Sequence, residues 1–259
     1  MPGCYFCSAK AILRINFFAA TFLFMKWTEF FTSSVGKKFV MAVTGLSLIL
    51  FLIVHVTVNA CMWAVIFIPG DNGEVFNKAA HWLGQTLVPR VLEIGLFVFF
   101  IIHIVQGYVL EFQNTRKRGI GYAVPMGSRG SAWYRKSMGL LGTLIFLFLI
   151  VHIADFWIPS RFGGLEEVTY ADTPGKKYHE LYGKMIGVFQ ITWIVILYLV
   201  GCFSLAWHLI HGFQSSFRTL GVSNKRYLAI LNGTGWVFSI IVSLLFAMMP
   251  LSVYLGCIR

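Results

Sequence analysis

Seven histidines occur in the chain, and the ones whose setting points to chemistry are embedded in apolar sequence. His55 ends the run Gly45-Leu-Ser-Leu-Ile-Leu-Phe-Leu-Ile-Val-His55, His103 lies within Leu96–Val109, His152 lies within Met138–Ile158, and His208 and His211 close Ile186–His211. An ionisable side chain in hydrocarbon costs free energy, so such residues usually face a bundle interior and act there. Imidazoles offered from facing helices are the ligand set that grips haem iron from both sides. Four segments, each supplying one, would hold two haems. For a single histidine a hydrogen-bonded structural role suffices, and a proton-relay transporter is another use of buried imidazole. A relay of that kind pairs histidine with intramembrane carboxylates, and mid-span carboxylates are nearly absent here.

The elements that must position these side chains follow from composition. The chain is 58% hydrophobic and only 12% charged, with a mean hydropathy of +0.75, which is too apolar for a soluble domain of this length. Five runs, at 37–66, 88–113, 134–158, 183–212 and 228–256, are long enough to span about 30 Å of hydrocarbon at about 1.5 Å per helical residue. They are continuously apolar instead of alternating, which favours helices over a barrel. The expected fold is therefore an all-α integral membrane protein, with 33–259 forming a five-helix transmembrane bundle and 1–32 a lead-in. Within that lead-in Lys10 and Arg14 precede the short apolar run Ile15–Phe24 without a small-x-small cleavage site, and Met25 offers a second plausible start. Residues 1–24 read as a start-site extension or an interfacial segment.

A formal net charge of +11 would suit nucleic acid if the charges formed a patch, but they sit at the ends of the apolar runs. With the N-terminus inside, fourteen of the 21 Lys and Arg fall on inner segments, among them Lys37, Lys38, Arg116, Lys117, Arg118, Arg129 and Arg218. That is the positive-inside pattern of a multi-pass protein with its N-terminus cytoplasmic and its C-terminus outside. Five cysteines do not form a disulfide framework, and Cys4-x-x-Cys7 has no second pair to complete a zinc site. Ser33-Ser34-Val-Gly-Lys37-Lys38 supplies hydroxyls to cap the first span and lysines at headgroup level. Ser34 and Lys38 are equally suited to bind a haem propionate or a quinone carbonyl. His81, beyond the turn sequence Pro69-Gly-Asp-Asn-Gly, and His179, in the polar loop 159–182, read as surface residues. The inner loop 114–135, rich in Gly, Ser and Arg, is a docking surface for a soluble partner.

Depth can be counted along the spans. His55 and His152 each lie about 18 residues, roughly 27 Å, from the inner end of a span that runs outward. His103 lies about ten residues, roughly 15 Å, from the inner end of its span, and His211 lies near the inner end of the fourth. One outer and one inner pair result. Gly45, Gly142 and Gly201 each stand ten residues before the histidine of their own helix, and Gly95 stands eight before His103. Ten helical residues are about 15 Å, close to the separation of the two levels, so each helix could ligate one haem and offer a side-chain-free patch to the edge of the other. Glycine that merely eases helix packing is the alternative. This spacing favours His211 over His208, which would act beside a ligand, near a propionate, or as a core histidine.

With Ser33-Ser-x-Gly-Lys-Lys, Thr44-Gly45, His55, His103, His152 and His211-Gly-Phe-Gln-Ser-Ser-Phe-Arg-Thr-Leu-Gly221, the chain resembles the cytochrome b membrane anchor of bacterial succinate dehydrogenases and fumarate reductases, the succinate:quinone oxidoreductases. The likeness is to the single-subunit, five-helix, dihaem type and covers about residues 33–256. It implies a bundle enclosing two stacked b haems in the bacterial inner membrane, with His55 and His152 on the outer haem and His103 and His211 on the inner one. It implies a flavoprotein and an iron-sulfur subunit on the cytoplasmic face, dicarboxylate chemistry on those subunits, and quinone, expected to be menaquinone, as the substrate met by this chain. Where some members carry a proton-conducting glutamate two residues before the fourth ligand, this sequence has Leu209. Glu74 and Glu93 are the candidates for an acid in quinol chemistry.

Two other readings remain open from sequence: the dihaem cytochrome b of another respiratory enzyme, such as a formate dehydrogenase or hydrogenase, and a haem-free transporter or assembly anchor. If the basic inner surface docks soluble subunits, reversing charge at Arg116–Arg118 and Arg129 will reduce copurification of those subunits. Unchanged assembly would dismiss that surface as the dock.

Overall fold

Hydrocarbon offers no hydrogen bonds to a peptide group, so each apolar run must satisfy its backbone internally, and helix is the form that does so within one segment. The computed structural model describes residues 27–118 and 137–259, of which 82% are helical. A short helix α1 (Trp27–Thr32) leads into α2 (Ser34–Ala60), which continues through a 3-10 turn, Cys61–Trp63, into α3 (Ala64–Phe67). Then come α4 (Glu74–Gln85), α5 (Leu87–Arg118), α6 (Met138–His152), a π-helical turn (Ile153–Trp157), α7 (Ile158–Phe162), β1 (Glu167–Val168), β2 (Tyr178–His179), α8 (Leu181–Phe189), α9 (Thr192–Thr219) and α10 (Lys225–Tyr254). Five helical stretches are long and apolar enough to cross a membrane: Ser34–Phe67, Leu87–Arg116, Met138–Phe162, Thr192–Thr219 and Lys225–Tyr254. The chain is thus a multi-pass all-α membrane bundle, as expected.

Four of these helices form a closed ring, with α2 packed on α5, α5 on α6, α6 on α9 and α9 back on α2, while α10 lies outside against α9 and α2. Small residues make the closest of these contacts possible. Gly235 leaves room for the Phe213 ring, which would lie 2.7 Å from a Cβ placed there. The buried Ser239 hydroxyl satisfies itself by donating to the Gly235 carbonyl at 2.6 Å. Burial is uneven. Nearly half the apolar stretch of α9 is buried (44%), but none of that of α5 and only 6% of that of α6.

Two boundaries differ from the sequence reading. The expected fourth span at 183–212 is two helices, α8 and α9, separated at Gln190 and Ile191. The region after the first span, read as turns, contains the twelve-residue helix α4. Hydropathy merges α8 with α9 because both are apolar. It passes over α4 because that helix is amphipathic and lies against the end of the bundle. Residues 1–24, Cys4 and Cys7, and most of the expected docking loop 114–135 fall outside the described residues. The start of that loop, up to Arg118, continues helix α5.

At one end of the bundle α4, α8 and the antiparallel pair β1–β2, with Glu167 opposite His179, build a cap. Its centre is Asn77, which is 1% exposed. Asn77 Nδ2 donates to Tyr170 Oη and to Glu180 Oε2, both at 2.9 Å. Its Oδ1 accepts from the amides of Leu181 (3.0 Å) and Tyr182 (2.9 Å), two of the donors that the first turn of α8 cannot satisfy itself. Glu180 Oε1 takes a third, from Gly183, at 2.7 Å. Gly73, at φ +86°, enters α4 in a left-handed conformation against the Tyr182 ring, where a Cβ has neither backbone nor space. Lys78 bridges Glu74 and Asp172, 2.5 Å from each. Hydrogen bonds donated to Asp172 and Glu74 raise the Lys78 ammonium above its usual range, and Lys78 holds Asp172 below the usual carboxylate range. His81 and His179 were expected on the surface. Both are half-buried in this cap, with the His81 ring 4.9 Å from that of Tyr178.

Asn77→Ala strands two buried amides and two acceptors. We expect it to lower stability by about 2–4 kcal/mol, measured by thermal or denaturant unfolding in detergent micelles.

Candidate functional site

The ring of helices α2, α5, α6 and α9 carries one or two histidines on each member, and the structure pairs them across its diagonals. His55 on α2 faces His152 on α6, with ring centroids 5.7 Å apart and planes at 89°. His103 on α5 faces His208 on α9, with centroids 6.2 Å apart. Two metal–nitrogen bonds of about 2 Å, plus about 1 Å from each nitrogen to its ring centre, place axial imidazoles of one metal roughly 6 Å apart between centroids. Both pairs stand at that separation. Among the described residues no group of three or more His, Cys, Asp or Glu converges to hold a bare metal ion.

The levels of the two pairs are fixed by glycine. A Cβ built on Gly45 of α2 would lie 3.4 Å from His103 Cε1, and one on Gly142 of α6 would lie 3.7 Å from His208 Cε1. Each glycine is ten residues before the histidine its own helix contributes to the other pair, so the levels are about 15 Å apart along both helices. The expectation that a helix ligates at one level and yields space at the other describes Gly45 and Gly142. Gly201 differs: the ring of Phe148 fills its position, 2.7 Å from where a Cβ would be. Gly95 faces open space on the exposed side of α5.

Several Nδ1 atoms have neighbours that orient the ring. Thr44 Oγ1 donates to the Val40 carbonyl at 2.8 Å and lies 3.1 Å from His103 Nδ1. Its own proton is thereby committed, so the hydroxyl oxygen accepts from Nδ1–H and leaves Nε2 as the bare donor. His152 Nδ1 lies 3.4 Å from Tyr198 Oη. Asn59 Nδ2 lies 3.3 Å from His55 Nδ1 while donating to the His55 carbonyl at 2.8 Å. The amide nitrogen donates only, so His55 Nδ1 is the acceptor in this placement. His208 Nδ1 is buried without a hydrogen-bond partner among the described residues. Flat apolar groups fix the ring planes: Phe51 stacks on His55 at 5.1 Å and 21°, and Phe148 on His152 at 5.5 Å and 28°.

Spacing ranks His211 ahead of His208, and the structure places the His208 ring 6.2 Å from that of His103. Three helical residues rotate a side chain by about 300° and advance it about 4.5 Å, a difference that counting from Gly201 does not resolve. Ser33, not Ser34, caps α2, accepting from the Gly36 amide at 3.0 Å. Ser34 and Lys38 lie one turn apart on the exposed side of α2.

Neither acid proposed for quinol chemistry is unengaged. Glu74 is bound to Lys78. Glu93 accepts from Arg161 Nε at 3.1 Å and Arg161 Nη2 at 2.7 Å, and also from the Trp157 indole. This bidentate pair fastens α5 to the end of α6 and α7. Sequence alone does not single out Tyr198, Thr44 and Asn59 as neighbours of the histidines. Asn59 and Thr57 are the polar residues near His55 on α2, and the i, i+4 spacing of Asn59 to His55 was a visible signal.

Comparison with protein-family models, with curated proteins and with solved structures returns no match.

Thr44→Val keeps shape and removes the hydroxyl, leaving His103 Nδ1–H unsatisfied. It should lower stability by about 1–3 kcal/mol, while Thr44→Ser retains most of it. Unfolding of the two variants in micelles compares them directly.

Proposed function

We propose that this chain is a dihaem b electron-transfer subunit, the membrane anchor of a succinate:quinone oxidoreductase or fumarate reductase. In this reading it passes electrons between an iron-sulfur subunit and membrane quinone. The observation that carries the haem reading is the arrangement of the histidines. Two diagonal pairs, each at the ring separation of two axial imidazoles, sit at levels about 15 Å apart within one four-helix ring. A transport role gives no reason for histidines to face in pairs with glycine beside the second pair. The specific assignment to succinate:quinone chemistry rests on the resemblance of residues 33–256 and on the basic residues at the end opposite the cap.

His55 and His152 would hold the haem at the capped end, and His103 and His208 the haem at the basic end, with His211 less than one turn beyond. Bound in this way, haem b supplies a one-electron iron couple with no open coordination position, suited to electron passage and not to substrate binding. The protein's part is to present four nitrogens, orient two of the rings through Thr44 and Tyr198, and exclude water with apolar side chains. The basic end would face the cytoplasm and the flavoprotein and iron-sulfur subunits. With His208 as fourth ligand, the residue two before it is Ala206, which like Leu209 carries no proton. Compensating proton movement would have to use another route.

The decisive experiment is a reduced-minus-oxidised optical spectrum with haem quantification on the purified chain. Two b haems per chain are expected. His55→Ala, His103→Ala, His152→Ala and His208→Ala should each lose one, and His211→Ala should keep both. Absence of haem would overturn the cytochrome reading. Copurifying flavoprotein and iron-sulfur subunits with succinate:quinone activity would support the assignment to that enzyme, and subunits of a formate dehydrogenase or hydrogenase would replace it.

A further inference from the structure

His152 has a feature that its partner His55 lacks: a route from its outer nitrogen to a carboxylate. Tyr198 of α9 is almost fully buried, at 5% exposure, and its hydroxyl donates to Asp155 Oδ2 at 3.3 Å. The same oxygen lies 3.4 Å from His152 Nδ1. Asp155 is three residues beyond His152, and the chain between them leaves α-helical geometry for the π-helical turn Ile153–Trp157. A π turn inserts one extra residue per turn and shifts the side chains that follow, and such turns recur at functional sites. Asp155 lies within that turn, on the side that meets Tyr198.

We propose that Asp155 and Tyr198 are positioning residues for His152. The tyrosine proton is directed to Asp155, so the hydroxyl oxygen accepts Nδ1–H of His152, and Nε2 is held as the bare nitrogen facing His55. This inference rests on the haem reading above and deepens it by naming what tunes one of the two sites. A histidine whose far N–H is given to an acceptor, itself backed by a carboxylate, is a more basic ligand. Such a ligand favours the ferric over the ferrous state of the iron it holds. Packing around the ring, from Phe148 stacked on one side and Phe156 at 5.6 Å, sets the plane but not the proton. The neighbours of the other two rings differ: Thr44 beside His103 gives its own hydroxyl proton to the Val40 backbone carbonyl, and Asn59 beside His55 is an amide.

The test is a potentiometric titration of the purified, haem-loaded full chain in wild-type, Tyr198→Phe, Asp155→Asn and doubly substituted forms. Tyr198→Phe keeps the ring and its packing and removes only the hydroxyl. Both haems should remain. One midpoint potential should rise, shifting the ferric-to-ferrous ratio roughly tenfold, about 59 mV for one electron, while the other stays fixed. Asp155→Asn should move the same haem in the same direction by less. The double variant should match Tyr198→Phe alone, because the carboxylate acts only through the tyrosine. Unchanged potentials in a haem-loaded Tyr198→Phe protein would overturn the proposal. Loss of one haem in Tyr198→Phe, with Asp155→Asn at wild-type potentials, would also overturn it, since lost packing accounts for that result. A wild-type chain without haem would fail the functional reading itself, before any substitution is compared.

Discussion

A buried imidazole has two nitrogens to satisfy and only one ring with which to do it, and this bundle depends on how that constraint is met. Each ring stands about 6 Å from a partner across the helix ring. At three of the four, Nδ1 lies beside a polar neighbour: a threonine whose proton is already spent, a tyrosine backed by an aspartate, and an asparagine on the same helix. The facing arrangement requires helices that are diagonal to each other, since adjacent helices pack too closely for two rings to stand about 6 Å apart between their axes. Ring closure through α2, α5, α6 and α9 creates those diagonals. Glycine at positions 45 and 142 then lets each level coexist with the backbone of a helix that ligates at the other.

Much of this was legible in the chain. Hydropathy located five spans because length and apolarity are properties of a segment, read without knowing its neighbours. Counting residues from the span ends separated His55 and His152 from the histidines at the basic end, since rise per residue is nearly constant in a helix. Spacing reaches only so far. His208 and His211 differ by part of one turn, and which of them looks across the ring depends on the rotation of α9, set by its packing on α2, α6 and α10. The cap was hidden for a different reason. Asn77 has four partners between 93 and 105 residues away, and no local pattern announces an asparagine that joins two distant loops. Glu93 looked like a free acid for the same reason: Arg161 lies 68 residues on.

The capped end also explains why loop 159–182 is long. It has to supply Tyr170, Asp172 and Glu180 to α4 and still deliver α8 to the mouth of the bundle. Its two short strands hold the crossing in register, and Lys177 reaches Glu167 across them at 2.6 Å. That exposed pair adds little to stability by itself. The buried amide network beneath it carries the connection.

The core is distributed along the membrane normal as unevenly as the hydrogen bonds. Among the described residues Met62, Phe76, Tyr182, Phe189, Tyr198 and Met249 belong to one continuous buried cluster near the cap, whereas toward the other end Leu141 and Ile210, with Trp207 against them, form a smaller one. Local opening follows the density of such contacts. Among the described residues such contacts are densest where the molecule faces away from the basic residues. Opening of the described bundle is therefore expected to begin at the end that holds Leu141 and Ile210 and to reach the His55–His152 pair last.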